Sequence, residues 1–271
     1  MSLSKKTVLF ILFFVQFLIW AQPKVVSWNI QNFGKSKTEE TIFFIAQTLR
    51  SYDVVAIQEV VAGPGGAQAV AKLADELNRT GAKWDYSISS PTSSSPYKSE
   101  RYAFLWKTSR VKLLGKPWLD SLFENEIERE PYMAQFKYQD LTFTLVNFHA
   151  VPKKDQPEKE IKFFKNYKSH YKNQNLIFLG DFNCPTSHSV FLPLKKQGFL
   201  PVFEGMKTSL KQKCVHQDCL ASEYDNILLS SSFKTLQCGI IHFYREFDDF
   251  SNARKVSDHL PIWVSFEMTP R

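Results

Sequence analysis

Apolar, largely β-branched runs recur along the chain at residues 25–28, 54–57, 102–106, 141–148, 176–179, 227–229 and 262–266. They are nearly continuous rather than alternating, the pattern of strands covered on both faces inside a layered fold. Helical periodicity lies between some of them. Residues 38–50 place Ile42, Ile45 and Leu49 on one face, and Thr38 followed by Glu39 and Glu40 suits a helix start. Residues 66–78 carry Val70, Leu73 and Leu77 at similar spacing, with Gly81 as a stop, and residues 158–171 repeat the theme with Ile161, Phe164 and Tyr167. The Ser/Pro-rich stretch 87–99 reads as a surface loop. Strands and helices intermixed without a linker predict two packed sheets flanked by helices in one α/β domain.

Ahead of the first strand, Lys5 and Lys6 precede an apolar run from Val8 to Trp20, and small Ala21 follows. This is the order of a secretory signal, and the run is shorter than the roughly 20 apolar residues a membrane span needs. The expectation is cleavage after Ala21, leaving residues 22–271 as one secreted domain with no stable membrane anchor. Removing Lys5 and Lys6 takes the formal charge from +7 to +5. A moderate positive charge favours a polyanionic partner, nucleic acid or an anionic lipid surface. Cys184, Cys214, Cys219 and Cys238 permit disulfides in an exported chain, and their spacing leaves the pairing open.

Chemistry enters at the strand edges. Asn29, Glu59, His149, Asp181, Asn183, Asp225, Asp258 and His259 all sit at or beside the ends of apolar runs. Cleaving a phosphodiester requires a deprotonated water, neutralised non-bridging oxygens and a stabilised leaving oxygen. A divalent cation supplies charge and orientation, carboxylates and amides suit magnesium, and imidazoles move protons near neutral pH.

The segments Val25-Val26-Ser27-Trp28-Asn29-Ile30, Ala56-Ile57-Gln58-Glu59-Val60, Asn147-Phe148-His149, Leu179-Gly180-Asp181-Phe182-Asn183, Tyr224-Asp225-Asn226-Ile227 and Ser257-Asp258-His259-Leu260-Pro261 follow one another in the order seen in the endonuclease/exonuclease/phosphatase superfamily. The chain resembles that superfamily from Val25 to Phe266. Within it, the stretch from Tyr97 to Trp106, and Arg129-Glu130-Pro131, resemble segments of the deoxyribonuclease I family.

The resemblance implies a four-layer α/β/β/α sandwich of two mixed sheets. It implies Mg2+ or Mn2+ held by Glu59 and Asn29, with Asp258 or Asp181 completing the acidic pocket. His259 oriented by Asp225 and His149 paired with Glu100 would form the acid–base apparatus, in either assignment. Arg129 and Asn183 would hold phosphate oxygens, and Asp181 would align the attacking water. The implied activity is a monomeric, secreted endonuclease on DNA with low sequence specificity. The alternative is a phosphodiesterase acting on RNA, sphingomyelin or another phosphoester, for which Phe243, Tyr244, Phe247 and Phe250 would be a membrane-facing aromatic hairpin. A binding domain without catalysis would lack the acid, amide and imidazole set.

Two departures from the family stand out. Val61 occupies the position where the family has a minor-groove Arg, which favours single-stranded DNA or RNA. The stretch Lys207-Thr208-Ser209-Leu210-Lys211 lacks the carboxylates of one calcium loop, whereas Asp120 and Glu130 leave a second Ca2+ position.

Overall fold

The computed structural model describes residues 22–95 and 98–269; the expected signal segment and Tyr97 lie outside the described residues. The first half of the chain runs β1 (Lys24–Phe33), α1 (Glu39–Leu49), β2 (Val54–Val61), α2 (Pro64–Asn78), β3 (Trp84–Ile88), β4 (Glu100–Lys107), β5 (Lys112–Leu119), β6 (Tyr132–Tyr138) and β7 (Leu141–His149). The second half runs α3 (Glu158–Ile161), α4 (Tyr167–His170), β8 (Leu176–Asp181), α5 (Leu192–Lys196), β9 (Leu200–Pro201), β10 (Leu210–Val215), β11 (Asp218–Leu220), β12 (Asp225–Leu229), β13 (Phe233–Ile240), α6 (Phe250–Val256) and β14 (Ile262–Met268).

The strands form two six-stranded mixed sheets, ordered β13-β14-β1-β2-β4-β3 and β5-β6-β7-β8-β12-β9, plus the two-stranded hairpin β10-β11. Alternation along each central strand explains the layering. On β1, Val25 packs between the sheets with Val54, Phe104, Leu145, Ile177 and Val264. Its neighbour Val26 faces outward to Ile45, Leu49, Val70 and Leu73 of α1 and α2. On the second sheet, Val146, Phe148 and Phe178 face outward to Ile161, Phe164 and Tyr167. Both faces of the central strands are therefore buried, as the unbroken apolar runs require, giving the helix–sheet–sheet–helix order.

Thr38 caps α1 by accepting from the Thr41 N–H, as its sequence position foretold. The helix expected at 158–171 is broken: α3 and α4 are single turns separated by a 3-10 segment, Lys162–Asn166. The aromatics that only the phospholipid alternative would turn to a membrane pack into the core. Phe243 is fully buried, its ring centroid 5.3 Å from that of Trp28. Among the described residues no helix is long and apolar enough to cross a membrane.

Topology gathers the polar strand ends at one pole. β1 and β2 are parallel, as are β7 and β8, so Glu59, His149 and Asp181 lie at matching C-terminal ends. β12 runs antiparallel to β8, setting Asp225 opposite Asp181. β4 runs antiparallel to β2, setting Glu100 opposite Val61. Lys112, Lys137 and Thr142 mark the opposite pole of the second sheet.

Candidate active site

The backbone is bent where the chemistry sits. The β2–β4 register shifts between Ile57 and Val60, and Glu59 lies at φ 59°. A bulge of this kind re-aims a side chain, and here it separates two neighbours. Gln58 points into the space between the sheets, fully buried, while Glu59 turns out to the cleft. Gln58 Nε2 donates to Asn147 Oδ1 at 2.6 Å and to Ser27 Oγ at 3.1 Å. Asn147 Nδ2 donates in turn to the Ile57 carbonyl at 3.1 Å. This buried amide pair joins β2 to β7, one residue from Glu59 and two from His149.

Two carboxylate–imidazole pairs converge on Asp181. His149 Nδ1 is 2.9 Å from Glu100 Oε2, and its Nε2 is 3.4 Å from Asp181 Oδ2. His259 Nδ1 is 2.8 Å from Asp225 Oδ2, and its Nε2 is 3.6 Å from the same Asp181 oxygen. Asp225, Asp181 and Glu100 are all buried. Burial and Arg129 both oppose the imidazolium of His149, yet Glu100 and Asp181 outweigh them and raise its pKa above the ordinary histidine value. Burial likewise opposes a charged His259, and Asp225 with Asp181 overcomes it, raising the pKa well above that value. Burial works to raise Asp181, but His259 and His149 hold it below the usual carboxylate range. Burial pushes Asp225 up to about 6 against the pull of His259.

Asn29 joins the cation side to this centre. Its Nδ2 is 3.0 Å from Glu59 Oε1 and 3.0 Å from Asp181 Oδ2, while its buried Oδ1 has no hydrogen-bond partner among the described residues. An orphaned amide oxygen beside two carboxylates is the donor set a hard divalent cation takes. Asp181, Asp225 and His259 form a second cluster, their ligand atoms all within 4.8 Å of one another. Of the two carboxylates that the resemblance offered for the acidic pocket, Asp181 makes the direct contact. Asp258 instead accepts from Gln31 Nε2 at 3.0 Å and lies 3.5 Å from Arg254 Nη2. At the second calcium position, Asp120 Oδ1 accepts from the Tyr171 hydroxyl and both Glu130 oxygens accept from Ser93 N–H, while buried Asp120 Oδ2 has no hydrogen-bond partner among the described residues.

Arg129 and Asn183 both border the cleft, and each also donates to protein groups. Arg129 donates to Glu100 Oε2 at 2.9 Å and to the Ala150 carbonyl at 2.5 Å; Asn183 Nδ2 donates to that same carbonyl at 3.0 Å. They brace the His149 strand end.

Sequence reasoning missed three supports. The Thr208 hydroxyl lies 2.7 Å from Asp225 Oδ2, yet its segment read only as a loop without carboxylates. Buried Glu160 accepts from the N–H groups of Glu128 and Val151, at 2.7 and 2.9 Å, tying the Arg129 loop to the segment after His149. Lys37 Nζ donates to the Lys255 and Val256 carbonyls, each at 2.8 Å, closing the end of α6 just before Asp258. A polar residue that acts on backbone far away in sequence leaves no local signal, except that Glu160 falls on the apolar face of its helix.

The open cleft above these groups has a volume of about 650 Å³, with Glu59, Asp181 and His259 on its floor and Val61, Lys98 and Lys154 among its walls. A cleft so furnished is equipped for phosphoester hydrolysis, and the chain belongs to the Endonuclease/Exonuclease/phosphatase family, whose profile matches residues 26–259. It is similar to a deoxyribonuclease of Thioalkalivibrio sp., 28% identical over 91% of this chain and 72% of that protein. It is similar also to deoxyribonuclease-1 of Rattus norvegicus, 26% identical over 92% of this chain and 93% of that one. Among solved structures, a family member from Bacteroides thetaiotaomicron superposes with a TM-score of 0.67 at 17% identity, covering 92% of this chain and 99% of that one. TDP2 of D. rerio, complexed with single strand DNA product, superposes at 0.64 and 17% identity, covering 92% and 100%.

Proposed function

We propose that the protein is a secreted, monomeric, divalent-metal-dependent endonuclease that hydrolyses DNA phosphodiesters with little sequence preference. The observation that carries this reading is the pair of imidazoles, each backed by a buried carboxylate, directed at one Asp181 oxygen. Glu59 and Asn29, with Asp181, would hold Mg2+ or Mn2+, which when bound supplies positive charge to the phosphate and leaving oxygens. The residues do the rest. One imidazole accepts the proton of the attacking water and the other returns one to the leaving oxygen, with Glu100 and Asp225 fixing the ring orientations. Asp181 aligns the water between them. Relatives named as deoxyribonucleases support DNA as substrate. The Cys214–Cys219 disulfide is in keeping with an oxidising compartment.

Cleavage of duplex DNA, single-stranded DNA, RNA and sphingomyelin, run in parallel with magnesium and with chelator, tests the reading. Metal-dependent nicking of plasmid is the expected result. Hydrolysis of RNA or sphingomyelin with DNA left intact would overturn it. Val61, 38% exposed on the cleft wall, favours a second outcome in which single-stranded DNA is cut faster than duplex.

Metal removal should also be visible without turnover. The raised pKa values of His149 and His259 mean that their contribution to stability is complete below about pH 6.5 and is lost as pH rises through those values. Asp225, at about 6, titrates below this window, and Lys37, pulled down to about 8 by burial, limits it above. In chelator, Tm should therefore fall by roughly 5 °C between pH 6.5 and 8. Magnesium should flatten that fall by replacing the lost protons as the positive charge facing Asp181. A Tm that is flat or rising in chelator over this range would contradict the assigned charge states.

A further inference from the structure

The positive charge of this protein is concentrated in one segment. Residues 153–172 hold seven lysines against three carboxylates, four of the chain's net +7. Lys159, Lys162, Lys165 and Lys168 recur every third residue, and all are exposed. Three-residue spacing drifts around an α-helix, but side chains three apart eclipse in a 3-10 helix. The 3-10 segment Lys162–Asn166 between α3 and α4 thus keeps Lys162 and Lys165 in line. At helical rises the four lysines span about 15 Å, the axial length of four or five phosphates on one duplex strand.

Packing does not demand this arrangement. The segment is anchored through Ile161, Phe164 and Tyr167 on its other side, and a solvated helix face ordinarily mixes charge signs. None of these four lysines forms an ion pair among the described residues; Lys168 Nζ donates to the Gln197 carbonyl. The chain enters the segment from the cleft. Lys98 and Lys154 both border it, and Lys98 is already held by Glu128 and Asp155 at 3.3 and 3.6 Å. Lys154 has no such carboxylate among the described residues.

We propose that the lysine ridge of residues 159–168, beginning at Lys154 on the cleft edge, is a second contact surface that binds the phosphate backbone of nucleic acid outside the catalytic cleft. The inference rests on the proposed nuclease function and extends it. A membrane-surface helix would set apolar side chains beside its lysines. Here the apolar side is buried, Phe163 is half-buried beneath Lys162, and the exposed positions are polar. The ridge holds long polymers without reading their sequence, and its contribution falls with salt because each contact releases a counterion.

The test measures binding to a long duplex by the full mature chain carrying His259→Ala, in chelator, across a salt series. Combined Lys159→Gln, Lys162→Gln and Lys165→Gln should weaken binding and lower the slope of log affinity against log salt by about 2 to 3. Arginine at the same three positions should restore it. A matched triple at the far pole, Lys112→Gln, Lys137→Gln and Lys83→Gln (its carbonyl accepts from Thr108 N–H just past the far end of β4), should leave the slope as it was. An unchanged slope in the folded ridge variant, or equal losses from both triples, overturns the proposal. So does loss of binding to phosphatidylserine vesicles with duplex binding retained. Ridge-dependent binding by a protein that hydrolyses no nucleic acid would sink the nuclease reading alone; hydrolysis without ridge-dependent binding would sink the ridge alone.

Discussion

His259→Ala is expected to slow magnesium-dependent plasmid nicking by about a thousandfold, within the range that general acid–base catalysis contributes. The loss should fall on kcat rather than on KM, because in the proposed mechanism the ring moves a proton and does not carry the polymer. Asp225→Asn tests the orienting contact separately. The Nδ1–Oδ2 distance of 2.8 Å would survive, but the amide cannot compensate an imidazolium, so the rate should fall by a smaller factor and the pH profile should shift toward acid. The Trp28 indole bond to the His259 backbone carbonyl, at 2.8 Å, leaves the main chain anchored in His259→Ala, and circular dichroism should match wild type. Nicking at the wild-type rate would remove His259 from the mechanism.

Gly180→Ala is expected to abolish the native fold, a loss of more than about 4 kcal/mol, at the severe end for a single substitution. Gly180 has φ +134°, and a Cβ there would lie 1.9 Å from the Phe148 carbonyl oxygen. That oxygen belongs to β7 and cannot retreat without pulling His149 from Asp181. Gly81→Ala provides the contrast. Its φ is +93° with nothing within 4 Å of the added carbon, so it should incur backbone strain alone, about 1–2 kcal/mol. Urea unfolding of the two variants separates clash from strain. A folded Gly180→Ala within about 1 kcal/mol of wild type would mean that the two strands are less closely apposed.

What could be read in the sequence was set by how much of a residue's role is local. Most central strands were legible because both faces of their sheets are covered, which forces apolar runs; β6, interior but interrupted by Gln135 and Lys137, was not. Edge strands were not. β13 exposes Lys234, Thr235, Leu236, Gln237 and Cys238 in succession, and β5 carries Gly115 and Pro117; neither keeps a period that marks a strand. The helix at 158–171 was recognised by its apolar face, but its break into 3-10 geometry has no signature in that periodicity.

The site divides in the same way. Asn29, Glu59, His149, Asp181, Asp225 and His259 were identified by strand-edge position and by their order, and the fold brings them to one pole. Asp258 shared that position, but its neighbours Gln31 and Arg254 decide where its carboxylate goes, and neither is adjacent in sequence. Thr208 and Glu160 act through hydrogen bonds that span 17 and 32 residues. The disulfide between Cys214 and Cys219 is one of the pairings that spacing left open. It closes the β10–β11 hairpin, whose base is bonded to the Asp258 carbonyl through Leu210 N–H at 2.7 Å.

The Gln58–Asn147 bond bears on how the molecule would respond to mechanical load. Glu59 and Glu100 ride on one sheet, while His149, Asp181 and Asp225 ride on the other, so the reacting groups straddle a sliding plane. Apolar contact across that plane is non-directional and nearly indifferent to a small lateral displacement. Proton transfer is not, since misplacement by about 1 Å can reduce a rate a hundredfold. The amide pair is a directional bond set in a largely greasy interface beside the groups that need alignment, and it acts as a dowel. Hydrostatic pressure or a cavity introduced between the sheets should therefore impair turnover well before the protein unfolds.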